Sequence, residues 1–222
     1  MLRLYSFWRS SASYRVRIAL NLKQLPYEYV PVHLSRDGGE QNKPEYRALN
    51  PQGRVPLLVD GEFRLGQSMA ILDYLESRFP SPALLPGDPV QRARILAFCH
   101  AIAADIQPLQ NTGPLTHLVQ VLGVTEAQRD DWARHWIQRG LEALETEAAR
   151  QPTSACVFGD EPTLADCVLV PQIYNAERYH CDPRGYPRLA AIAEALRQRP
   201  KFVAAHPDRQ PDAPSDGRRG GG

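Results

Sequence analysis

The chain has 222 residues, 26 basic against 25 acidic, a formal charge of +1 and 43% hydrophobic content. That balance excludes a global field for nucleic acid or an anionic membrane, while the length and apolar share suit a substantial globular core. Four cysteines, Cys99, Cys156, Cys167 and Cys181, show neither CxxC nor Cys/His metal spacing, and the chain is too long to need disulfide staples, so reduced thiols in the cytoplasm and no metal site are expected.

The first residues run straight into a strand pattern, with Leu2, Leu4 and Ser6 on one face and Arg3, Tyr5 and Phe7 on the other. Neither a secretory leader nor an apolar stretch of spanning length is read here. Residues 14–22 follow helical spacing. Residues 27–32 are rich in strand formers, and Pro31 argues for an edge position. After a connecting segment, residues 55–59 predict a strand, Asp60-Gly61 a tight hairpin, and residues 62–65 its return. Ile71, Leu72, Leu75 and Phe79 then mark an amphipathic helix over 68–79. The order β-α-β, connection, β-β-α describes a small α/β sandwich over residues 1–80.

Pro80, Pro82, Pro86 and Pro89 read as a linker over 81–89. Beyond it the strand signal disappears. Helices are expected over 91–106, 126–150, 164–179 and 189–197, giving an all-helical domain over 90–210. Thr163 to Asp166 has the form of a capping box, and Pro171 should kink the helix it opens. The tail, 211–222, is expected to be disordered.

The chemistry concentrates at the first strand-to-helix turn, Trp8-Arg9-Ser10-Ser11-Ala12-Ser13-Tyr14-Arg15. A dithiol oxidoreductase would carry two cysteines there, and this turn has none. Hydroxyls, free amides and the positive end of a helix together can cradle an anion. A thiol held there would ionise easily, as cysteine thiols at helix N-termini fall from ~8.5 to between ~3.5 and ~7.5. Simple capping by Ser10, Ser11 or Ser13 is the competing explanation. Val55-Pro56 is a candidate cis peptide whose outward backbone could pair with an extended peptide. Gln67-Ser68, at the start of the next helix, suits a carboxylate, although helix capping accounts for it equally well. The six histidines show neither metal spacing nor a triad partner.

The run from Ser10 to Leu20 closely resembles the N-terminal motif of zeta-class glutathione transferases. So do Asn50-Pro51, Val55-Pro56, Gln67-Ser68, the run Ile106-Gln107-Pro108-Leu109-Gln110-Asn111, the run Asn175-Ala176-Glu177-Arg178-Tyr179, and Arg209-Gln210-Pro211-Asp212. The resemblance covers the chain up to its glycine tail. It implies a thioredoxin-like glutathione-binding domain followed by an all-α substrate domain, and commonly a homodimer. Glutathione is the implied cofactor. Ser10 through Arg15 (Ser10, Ser11, Ala12, Ser13, Tyr14, Arg15) would surround its sulfur, with Ser10 and Ser11 catalytic. Gln41 would meet the glycine end, Val55 the cysteinyl backbone, and Gln67 with Ser68 the γ-glutamyl carboxylate. Gln107, Asn111, Thr112 and Gly113 would close over the tripeptide. Arg9 and Arg178 are the candidates to clamp a dianionic substrate, because a guanidinium pairs with a carboxylate in a planar, bidentate way, and the resemblance supports Arg178. The family usually has cysteine where this chain has Ala12, which leaves Ser10 as the better thiolate donor. The implied reaction is cis–trans isomerisation of maleylacetoacetate to fumarylacetoacetate. Maleylpyruvate isomerisation, transfer to α-halo acids and a non-catalytic docking role are the alternatives.

Overall fold

A computed structural model describes residues 1–214. The chain divides into two units, one formed by Met1–Pro82 together with the chain from Gln198 onward, the other by Ala83–Arg197.

The first unit opens with β1 (Leu2–Ser6), α1 (Ser11–Leu22), β2 (Tyr27–Pro31), α2 (Pro44–Leu49), β3 (Leu57–Asp60), β4 (Phe63–Gly66) and α3 (Ser68–Arg78). The sheet order is β2-β1-β3-β4. β1 pairs parallel with β2, Leu4 opposite Tyr29, and antiparallel with β3, Leu4 opposite Leu58. β3 and β4 form the expected hairpin around Asp60 and Phe63, and Gly61 takes the left-handed φ of 61° that the turn requires. Pro31 lies on the edge strand, where its missing N–H costs no ladder bond. Alternation in β1 buries Leu2, Leu4 and Ser6 and exposes Arg3. The Val55-Pro56 peptide is cis, as is Ser81-Pro82.

The second unit contains α4 (Pro89–His100), α5 (Thr112–Gln120), α6 (Glu126–Ala149), α7 (Leu164–Arg178) and α8 (Pro187–Arg197). α7 is its buried axis, with Cys167, Val168, Leu169 and Val170 all at 0% exposure. It runs unbroken past Pro171. Its capping box is present: Thr163 Oγ1 accepts from Ala165 N–H, and the Asp166 carboxylate accepts from Thr163 N–H (2.7 Å) and Val157 N–H (2.9 Å). The helix expected over 91–106 changes pitch, passing from α4 into a π-helical turn, Ala101–Ile106. α6 packs on this turn at Gly140, where a Cβ would lie 2.3 Å from Ile106 Cγ1.

The chain then returns to the first unit through α9 (Pro200–Ala205), which packs on α1. α1 is accordingly covered by α3 and α9, which explains why Val16, Ile18, Ala19 and Leu20 are all at 0% exposure.

Four expectations need correction. The connecting segment holds α2 and two 3-10 turns, because Pro44 can open a helix at its first position. α5 and α9 were not anticipated: α9 is short and opens on Pro200, and α5 carries Gly113 and Pro114 in its first turn. The supposed linker is packed from its fourth residue: Leu84 and Leu85 are each 2% exposed, and Leu84 C=O accepts from Leu164 N–H (2.7 Å). Of the supposed disordered tail, residues 211–214 are placed, with Asp212 half-buried and bonded to two distant residues, while 215–222 lie outside the described residues.

Candidate active site

β1 ends at Ser6, and the chain turns through Phe7, Trp8 and Arg9, closed by a bond from Ser10 N–H to Phe7 C=O (3.0 Å). Ser10 is the N-cap of α1, with φ −67° and ψ 118°, and its Oγ accepts from Ser13 N–H at 3.2 Å. Tyr14 N–H returns to Ser10 C=O. The Ser11 and Ala12 amides are thus left at the open end of the helix, where they and the helix dipole favour an anion. A hydroxyl that has accepted one bond keeps its proton to donate. Capping and anion binding are therefore not competing roles for Ser10. Ser11 is 8% exposed and Ser13 fully buried, and the Ser13 hydroxyl has no hydrogen-bond partner among the described residues. Ala12, half-buried, offers its amide alone. Tyr14 faces inward, its ring 6.1 Å from that of His206 and 5.2 Å from the Arg17 guanidinium.

The N-terminus of α3 lies in the same unit. Gln67 holds φ 66° and ψ 111°, a left-handed φ that costs a non-glycine residue of order 1–3 kcal/mol. Its amide is tied to Gln52, Nε2 donating to Oε1 at 2.7 Å. Ser68 is buried, and its Oγ accepts from Arg15 Nη1 at 3.2 Å. Arg15, only 1% exposed, therefore ties the second turn of α1 to the N-terminus of α3 and leaves the Ser68 proton to donate elsewhere. Val55 stands outside the ladder, which begins at Leu57. The loop before it is fixed by Arg54 C=O, which accepts from Tyr46 Oη (2.7 Å) and Asn50 Nδ2 (2.8 Å). Gln41 donates from Nε2 to Leu34 C=O (3.2 Å), and its buried Oε1 has no partner among the described residues. Arg9 places its guanidinium 5.6 Å from the Trp8 ring centre.

In the second unit, Gln107 opens a 3-10 turn after the π-helical segment. Asn111 is the N-cap of α5, its Oδ1 accepting from Thr112 N–H (2.8 Å), with Thr112 and Gly113 exposed in the first turn. Arg178 is exposed on the last turn of α7, donating to Asn175 Oδ1 (3.4 Å) and lying 5.7 Å from the Tyr179 ring.

The residues that hold the Ser10 turn were not anticipated. Arg17, fully buried, donates to Ser6 Oγ (3.2 Å), Phe7 C=O (3.4 Å), Trp8 C=O (3.0 Å) and Ala205 C=O (3.0 Å). Burial lowers its pKa from the ordinary guanidinium value, against the opposing influence of nearby tyrosines and Asp212. Asp212 accepts from Trp8 N–H (3.0 Å) and Tyr29 Oη (2.6 Å). Burial, reinforced by that bond, raises the Tyr29 pKa. An arginine within an amphipathic helix and an aspartate in a proline-rich tail carry no local signal of such roles. Among the described residues, no group of three or more His, Cys, Asp or Glu could hold a metal ion, and no helix is long and apolar enough to cross a membrane.

A strand-to-helix turn of hydroxyls in a four-stranded mixed sheet, followed by a helical unit, is the arrangement of a known family. Residues 4–83 match the family model described as glutathione S-transferase, N-terminal domain, and residues 125–195 match glutathione S-transferase, C-terminal domain. The chain belongs to the glutathione S-transferase family. More narrowly, it is 48% identical to a probable maleylacetoacetate isomerase of Vibrio cholerae, over 95% of this chain and 97% of that protein. A solved maleyl pyruvate isomerase, described as a bacterial zeta-class glutathione S-transferase, is 44% identical with a TM-score of 0.92, covering 96% of this chain and 100% of that one. A maleylacetoacetate isomerase from Anaeromyxobacter dehalogenans, solved with glutathione in its active site, is 47% identical with a TM-score of 0.84, covering 96% and 98%. The zeta-class resemblance of the sequence motifs agrees with all three.

Proposed function

We propose that the protein isomerises maleylacetoacetate to fumarylacetoacetate with glutathione as cofactor. The observation that carries this reading is the open end of α1, where the Ser10 hydroxyl proton and the Ser11 and Ala12 amides remain to meet one anion. Bound glutathione would supply a nucleophilic sulfur, whose reversible addition to the cis double bond lets that bond rotate before the sulfur leaves. Ser10 donates to the sulfur and keeps it deprotonated at neutral pH, with Ser11 as the second hydroxyl. Val55 offers backbone N–H and C=O to the cysteinyl residue in the manner of an added strand. Ser68, Gln67 and the first amides of α3 hold the γ-glutamyl carboxylate, and Gln41 the glycine end. The buried charge of Arg15 favours anions at both helix ends. Gln107, Asn111, Thr112 and Gly113 supply further polar contacts, and Arg9 and Arg178 take the substrate carboxylates, for which a guanidinium is suited in shape and charge. A homodimer in the cytoplasm completes the proposal.

Turnover of maleylacetoacetate with and without glutathione tests it directly. Isomerisation without glutathione, or none with it, would refute it. The similarity to a maleyl pyruvate isomerase favours maleylpyruvate as a second reading. The ratio of kcat/KM for the two diketoacids decides between them.

A further inference from the structure

The turn that presents Ser10 is not held by the sheet ladder. Its Trp8 peptide groups are bound by two side chains, Asp212 on the N–H and Arg17 on the C=O. Arg17 is itself braced on Ala205, the last residue of α9. The other Asp212 oxygen takes the Tyr29 hydroxyl from β2. One carboxylate, 204 positions along the chain from Trp8, therefore pins the turn to the edge strand. We infer that Asp212 is a positioning residue of the glutathione site, setting where the Ser10 hydroxyl and the Ser11 amide stand. This rests on the proposed reading of α1 as a thiolate cradle.

The physical reason is one of tolerance. A donor contributes to anion stabilisation only when aimed within a fraction of an ångström, and displacements near 1 Å can cost a hundredfold in rate. Ser10 follows Trp8 by two residues and has no ladder bond of its own to restore it. Without Asp212, the Trp8 N–H loses its acceptor and the turn can relax toward water.

The test uses the full chain with wild type, Asp212→Ala, Asp212→Asn and Asn21→Ala. Asn21 Nδ2 donates to Lys201 C=O (3.0 Å), so its loss loosens the same C-terminal segment without touching the turn. For each protein, the thiolate absorbance of bound glutathione is titrated against pH, and kcat, KM and Tm are measured. Asp212→Ala is expected to raise the bound thiol pKa by about one unit and to lower kcat/KM about tenfold, one unit being a tenfold change in ionisation. Asp212→Asn should recover part of this, since its carbonyl can accept from Trp8 N–H while its amide donates to Tyr29 Oη. Asn21→Ala should lower Tm and leave the thiol pKa unchanged. Asp212→Ala with a lower Tm but the wild-type pKa and kcat would overturn the inference. Should that variant not fold, Asp212→Asn decides: a neutral, weaker acceptor is expected to shift the pKa upward, and a wild-type pKa refutes. A wild-type protein that binds glutathione without lowering its thiol pKa would instead refute the reading of α1 on which the inference stands.

Discussion

Replacing Ser10 by alanine removes one hydroxyl that caps α1 and, in the function proposed above, also donates to the glutathione sulfur, and the two losses can be measured apart. The first is the cap. Ser10 Oγ meets Ser13 N–H at 3.2 Å, a long bond, so the stability loss belongs at the low end of the N-cap range, about 0.5–1 kcal/mol. The unit should stay folded, because the buried faces of α1 are untouched. The second is a charge-assisted bond to the sulfur, worth about 1.5–3 kcal/mol, which converts to about one to two units of thiol pKa. A rate limited by thiolate should therefore fall at least about tenfold at pH 7, and recover as the pH is raised. Ultraviolet titration of bound glutathione gives the pKa, initial rates give kcat, and thermal melting gives the cap. Ser10→Thr retains the hydroxyl and should stay near wild type. An alanine variant whose bound thiol titrates as in wild type would remove Ser10 from the mechanism and leave the work to the Ser11 and Ala12 amides.

Arg178→Ala should raise KM for the diketoacid several-fold while leaving that for glutathione unchanged; equal effects would remove Arg178 from substrate binding. Lys23 is buried against Glu76 (2.7 Å) and also donates to Phe79 C=O (2.7 Å) and Pro82 C=O (2.8 Å). Lys23→Met leaves Glu76 and two carbonyls without that donor and should cost about 3–5 kcal/mol in denaturant titration; a loss under 1 kcal/mol would contradict this. All four cysteines are buried, and burial pushes the Cys181 thiol up to about 11. A thiol reagent at pH 7 should label the native protein slowly and the denatured protein at four sites. Because the folded pKa of Cys181 lies above its ordinary 9.0, its contribution to stability is present below pH 9.0 and is lost as the pH rises toward 11. Fast native labelling at Cys181 would show the burial to be wrong.

Local patterns carried much of the architecture. Alternation in β1, the Asp60-Gly61 turn and the spacing of Ile71, Leu72 and Leu75 each state a period and a breaker within a few residues, and each element formed where those signals lie. α2 and α9, six residues each, are too short for periodicity to register. At the site, Ser10 was readable as a cap on α1 because capping chemistry is local. The strain at Gln67 and the Arg15–Ser68 bond were not, since both depend on how α1 and α3 pack. Asp212 was hardest to read. Its proline-rich surroundings resemble an unstructured tail, and only the fold brings Tyr29 and Trp8 to it.

The first unit is interrupted in sequence, since α9 and the segment after it belong with β1 and α1 although the whole of the second unit is synthesised in between. A ribosome that has released residues 1–82 has delivered the sheet but neither the Ala205 carbonyl that braces Arg17 nor the carboxylate that receives Trp8. Full bracing of the Ser10 turn must therefore wait for the closing stretch of translation, when contacts of the greatest sequence separation form. A nascent chain stalled before Asp212 would display the strands and helices of the amino-terminal part while the turn before α1 still lacked its last anchor.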